Sequence, residues 1–195
     1  AVVALVAGFL LALALRPADD GPELPGLHIS KVDPAAPDLA FLDEAGEARR
    51  LTDYRGKVLV IFFGFVRCPD VCPTRLFELA QLMKALGPER DRVQVLLATL
   101  DPDRDRPEVL RSYVTAFDPA FGALTGTTAQ MDTLAARFYV AHRKVPLGAD
   151  YTIDHSAATY LVDAAGKTVY VAGIETSREQ LLAALKALAA RAPAT

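Results

Sequence analysis

The sequence is short of sulfur and imidazole. Two cysteines and three histidines are all that occur in 195 residues. Without a second cysteine pair, a four-thiolate zinc site is excluded, and any zinc site would need two of the histidines beside the cysteines. Basic excess is missing too. Net charge is −3 with no block of lysine and arginine, so the electrostatic footprint of a nucleic-acid-binding protein is absent. No internal repeat occurs, and no low-complexity tract beyond an alanine-rich C-terminus.

Charge is missing altogether from residues 1–15, AVVALVAGFLLALAL. As a helix this stretch would reach roughly 22 Å at ~1.5 Å per residue, short of a ~30 Å hydrocarbon core. It is apolar on every side, whereas a helix packed in a globular core shows a polar face. We therefore expect an uncleaved signal anchor, truncated upstream, with a cleaved secretory signal or a buried core helix as alternatives. Residues 16–37, rich in Pro, Gly and Asp, read as a linker. Residues 38–192 read as one domain, and 52% hydrophobic residues suffice for one core. Both export readings place that domain in the periplasm or another extracytoplasmic space, anchored to the membrane if the segment is retained, where a disulfide can persist.

Within the domain, residues 39–51 read as a hairpin turning at Glu44-Ala45-Gly46. Residues 57–66, KVLVIFFGFV, form a continuous apolar run rich in β-branched and aromatic residues, the pattern of a central strand buried on both faces. Residues 74–86 place Leu76, Phe77, Leu79, Ala80, Leu82, Met83 and Leu86 at helical spacing, stopped by Gly87-Pro88. A second buried strand covers 92–100. Helices follow at 106–117, with Pro107 in the first turn, and at 127–140, capped by Thr127 or Thr128. A hairpin of 157–163 and 167–173 and a helix at 177–191, capped by Ser177, complete the chain. Strands alternating with helices imply parallel pairing. The expected fold is α/β and thioredoxin-like: a central mixed sheet flanked by helices, with an N-terminal hairpin and an extra helix before the third main strand.

Cys68 and Cys72 occupy the junction between the first central strand and the helix after it. Carboxyl ends of strands are where open α/β sheets bind ligands. Unpaired N–H groups and the positive end of the helix favour a thiolate over a thiol, and Pro73 suits a first helical turn. Residues four apart on a helical turn approach each other, so both sulfurs can share one space or be oxidised to a disulfide. As an inert staple such a bond would stabilise little, because its loop is so short. A redox couple, a metal site and a staple all remain open on spacing alone.

The histidines differ by context. His28 lies in the linker and His142 on a basic edge beside Arg143 and Lys144; both read as solvated. His155 lies just before the third main strand, where a thioredoxin-like fold faces the dicysteine turn. Two thiolates and one imidazole would then meet at one edge, and soft sulfur with imidazole suits copper. Asp70, Asp101 and Asp154 are candidates to orient a ligand, with loop capping the alternative for the latter two. Met83 and Met131 read as core.

These residues carry a resemblance. GFVRCPDVCP, LDPDRDRPEVLRSYVTAF, LTGT and DYTIDHS are similar to stretches of the Sco/SenC family of copper-binding assembly factors of cytochrome c oxidase, over residues 51–173. The resemblance implies a membrane anchor and a thioredoxin-like domain outside the cytosol. It implies Cu(I) or Cu(II) held by Cys68, Cys72 and His155. It implies cytochrome c oxidase subunit II as partner, whose binuclear copper centre the protein helps build, with another copper chaperone as a candidate donor. Arg67 stands where many relatives have His. The expectation is a metallochaperone rather than a turnover enzyme. The alternative is a thiol–disulfide oxidoreductase acting through Cys68 and Cys72 on the cysteines of the apo-subunit, with peroxide reduction at Cys68 a weaker third.

Overall fold

A computed structural model describes residues 39–193. The expectations for residues 1–15 and for the linker, His28 included, lie outside the described residues.

The strands are β1 (Phe41–Asp43), β2 (Ala48–Arg49), β3 (Val58–Gly64), β4 (Val93–Thr99), β5 (Gly122–Thr125), β6 (His142–Leu147), β7 (Asp150–His155), β8 (Thr159–Val162) and β9 (Thr168–Ala172). The helices are α1 (Val71–Leu86), α2 (Pro107–Thr115), α3 (Thr128–Arg137) and α4 (Arg178–Arg191). Seven strands form one sheet in the order β2-β1-β5-β4-β3-β8-β9, while β6 and β7 pair separately as a two-stranded arm. Strand β3 runs parallel to β4 and antiparallel to β8, and β4 runs parallel to β5. The mixed α/β, thioredoxin-like arrangement is as expected.

Position in the sheet explains composition. Strand β3 has a neighbour on each side, and all seven of its residues are buried. A strand buried on both faces carries a near-continuous apolar run. Helix α1 packs against α4 and buries Leu76, Leu79, Ala80, Leu82, Met83 and Leu86. Phe77, expected on the same face, is 58% exposed, because it falls outside that stripe. Gly87 ends α1 at φ 61°, a conformation that costs other residues a Cβ clash. Thr127 and Ser177 cap α3 and α4 by accepting from the N–H of Gln130 and Gln180, each in a reciprocal capping box. Met83 and Met131 are buried in the core.

Two elements depart from the expected order. Strand β5 separates α2 from α3, so the two helices are not consecutive. The β6–β7 arm replaces the loop expected before β8, and His155 is its last strand residue.

Candidate metal centre

Three separate pieces of backbone deliver the site. Cys68 leaves the turn after β3, Cys72 is the second residue of α1, and His155 ends β7. One ligand atom from each lies within 4.8 Å of the others. The Sγ of Cys72 is 3.6 Å from Nε2 of His155, and the Cys72 N–H donates to the Cys68 Sγ at 3.4 Å. Neither cysteine is in a disulfide; Cys68 is partly exposed and Cys72 is buried.

The two sulfurs are not equivalent. A hydrogen bond from the Cys72 thiol, helped by the N–H groups of Cys72 and Asp70, outweighs burial and lowers the Cys68 pKa to about 5. Donation of that hydrogen bond, and burial, push the Cys72 thiol up. Cys68 is thus the more acidic of the two sulfurs. Val71, Cys72 and Pro73 occupy the first turn of α1, where the proline's missing N–H breaks no bond.

His155 is set by its backbone. Its Nδ1 lies 3.0 Å from the carbonyl oxygen of Ser156. A carbonyl only accepts, so Nδ1 carries the hydrogen and the lone pair of Nε2 faces the sulfurs. Phe62 and Phe65 present T-shaped contacts to the ring, with centroids 6.3 and 5.8 Å away. This apolar wall limits water on one side of the donors.

A family model described as SCO1/SenC matches residues 30–190. The chain belongs to the SCO1/SenC family. A SCO2-like protein of Rickettsia felis is 34% identical over 76% of this chain and 74% of its own length. The copper-bound structure of Bradyrhizobium japonicum ScoI is 36% identical, covers 76% of this chain and 96% of its own, and superposes with a TM-score of 0.71. The copper-bound structure of yeast Sco1 is 32% identical, covers 74% of this chain and 82% of its own, and gives a TM-score of 0.67.

In this SCO1/SenC chain the donor set fits a soft ion of low coordination number. Bonds of ~2.3 Å to sulfur and ~2.0 Å to nitrogen at trigonal angles put those donors roughly 3.7 Å apart, against the 3.6 Å between Cys72 and His155. Among the described residues no fourth cysteine, histidine or carboxylate joins the three, which disfavours structural zinc.

The other candidates fall elsewhere. Asp154 is exposed and accepts from Arg143 across the arm at 2.7 Å, so it does not orient the imidazole. The Asp70 carboxylate makes no capping bond at α1; its backbone N–H serves Cys68 instead. Asp101 is fully buried and accepts from Arg104 and, at 2.6 Å, from the Tyr151 hydroxyl. His142 turns to Asp132, 3.4 Å from its Nε2. Arg67 pairs with Asp150 at 3.1 Å.

Asp105 escaped the sequence reading, although its place in LDPDRDRP beside the second strand end was a signal. It is buried, accepts from the Thr99 hydroxyl at 2.6 Å and from the Val66 N–H at 3.1 Å, and so fastens the dicysteine turn to the end of β4. Burial raises its pKa to about 6, against the hydrogen bonds that lower it. The folded state therefore binds this proton more tightly than the unfolded chain does, and stability attributable to Asp105 falls as pH rises from about 4 to about 6. Asp105→Asn removes that component. In urea unfolding at pH 4.5 and 7, the stability of the parent relative to the variant should decline at the higher pH. A relative stability that rises instead would show that Asp105 is held ionised.

Proposed function

We propose that the protein binds one copper ion, as Cu(I) or Cu(II), through Cys68, Cys72 and His155, and that copper is its cargo in the assembly of cytochrome c oxidase, destined for the binuclear centre of subunit II. The observation that carries this reading is the convergence of two sulfurs and one imidazole from three elements within 4.8 Å. Copper-bound relatives at 36% and 32% identity support the choice of ion. A half-open pair of thiols suits transfer, because an incoming cysteine can approach Cys68 before Cys72 lets go. Another copper chaperone would load the site. Residues 1–15 would tether it to the membrane, with the domain in the periplasm or an equivalent space.

The inequality of the sulfurs favours a second reading beside the first. The Cys68 thiolate would attack a disulfide in the apo-subunit, and the departing sulfur would take a proton. Cys72, losing its proton, would then attack Cys68 in the mixed disulfide. The subunit would leave with two thiols and the chain with a Cys68–Cys72 disulfide, two electrons having passed.

Anaerobic mixing of the copper-loaded protein with apo subunit II separates the two. Delivery predicts copper on the subunit with the carrier's thiols still reduced. Reduction predicts thiols lost from the carrier and gained by an oxidised subunit, with metal-free carrier equally effective. Neither transfer occurring would remove subunit II as the partner.

A further inference from the structure

The arm that carries His155 has little apolar seating. Of the twelve residues in β6 and β7, Ile153 alone is buried, and neither strand joins the main sheet. Side chains two apart on a strand share a face, so Tyr151, Ile153 and His155 all point the same way from β7. Ile153 enters the core, and His155 meets Cys72. Tyr151 is the third anchor.

Its hydroxyl donates to the fully buried Asp101 at 2.6 Å. Arg104, which also pairs with Asp101, donates to the Tyr151 carbonyl at 3.1 Å and lies 3.7 Å from the centre of the Tyr151 ring. The same guanidinium reaches one oxygen of Asp150 at 2.8 Å, and Arg67, next to Cys68, reaches the other at 3.1 Å. Asp150 and Tyr151 thus tie together the loop after β4, the dicysteine turn and the arm. The Arg67–Asp150 pair is exposed and contributes little by itself. The bond into buried Asp101 contributes more, because its loss strands a desolvated oxygen.

We propose that Tyr151, assisted by Asp150, is a positioning residue: its clasp on the loop after β4 sets where His155 stands against the two sulfurs. The claim rests on the copper-site reading for its consequence, since a displaced imidazole opens one side of the ion. Groups that orient a metal ligand are worth roughly 10–100-fold in affinity.

The test compares Tyr151→Phe and Asp150→Asn with the parent, and with Arg143→Gln, which breaks an ion pair within the same arm but touches no clasp residue. Asp150→Asn alters an exposed side chain and so covers the case of a Tyr151→Phe protein that does not fold. In the apo protein, amide hydrogen exchange over residues 142–155 should quicken at least tenfold in the clasp variants, with β3 and β4 unchanged. Cu(I) affinity, by competition with a chelator, should fall roughly 10–100-fold in Tyr151→Phe and less in Asp150→Asn. Imidazole nitrogen coupling in the Cu(II) electron paramagnetic resonance spectrum should weaken, a change that loss of stability alone would not cause. Arg143→Gln should match the parent throughout. Unchanged exchange in both clasp variants overturns the clasp, and rapid exchange with parental copper affinity overturns its role in the site. A parent that binds no copper overturns the copper reading instead, and the exchange comparison then decides the clasp by itself.

Discussion

His155→Ala leaves both thiols in place and lowers Cu(I) affinity by on the order of a hundredfold or more. The imidazole is the one nitrogen among the three donors, and its Nε2 stands 3.6 Å from the Cys72 sulfur with the lone pair turned inward by the Ser156 carbonyl. Alanine removes the ligand and opens the wall formed with Phe62 and Phe65. Two thiolates alone still attract a soft ion, so weak binding with a sulfur-only spectrum should persist. Chelator competition and the thiolate-to-copper absorption of the Cu(II) form measure the change. Thiol–disulfide exchange by the metal-free variant should stay near the parent rate, because the hydrogen bonds from Cys72 and Asp70 to Cys68 remain. Copper affinity and spectrum equal to the parent's would remove His155 from the ligand set.

Gly64→Ala should harm both the core and the site, although residue 64 has no side chain to offer as a ligand. A methyl group there would stand 2.7 Å from the Cys72 sulfur and 2.9 Å from Phe62 Cε1. Both neighbours are fully buried, so neither can swing into solvent. Overpacking of this kind costs about 1–3 kcal/mol. Whichever neighbour yields, the site suffers, since one is a proposed ligand and the other packs on the imidazole of His155. We expect that loss in urea unfolding and a fall in Cu(I) affinity of roughly tenfold or more. A variant as stable as the parent, with parental affinity, would show that the Cys72 sulfur has room to move and is not fixed by the end of β3.

The site was legible where chemistry and topology coincide. Cys68 and Cys72 advertise themselves by type, and the apolar run before them places them at a strand end. His155 was found by its position ahead of the third main strand. What fixes these groups was not legible. The Ser156 carbonyl belongs to the backbone, which the sequence does not distinguish from any other. Gly64 looks like one more small residue until the sulfur packed against it is seen. Asp105 reads as one carboxylate among three in DPDRD, and only the fold selects it to hold the dicysteine turn.

The elements missed are too short or too exposed to show a periodic pattern. Strand β5 is four residues long. The β6–β7 arm is mostly solvent-facing, so HRKVPL and DYTIDH show no clear apolar alternation, and Pro146 argues against a strand. Its turn was the available signal: two residues, Gly148 and Ala149, join Leu147 to Asp150, with Gly148 at φ 64°, the conformation that tight hairpins require. Phe77 erred in the opposite direction, an apolar residue at helical spacing that lies off the buried stripe.

Copper carriage by this site requires one ion to meet all three donors at once. X-ray absorption at the copper edge of the Cu(I)-loaded protein measures this directly. It should show two sulfur neighbours at ~2.3 Å and one nitrogen neighbour at ~2.0 Å, with the nitrogen shell lost in His155→Ala. A first shell of sulfur alone in the parent protein, unchanged by that substitution, would contradict it.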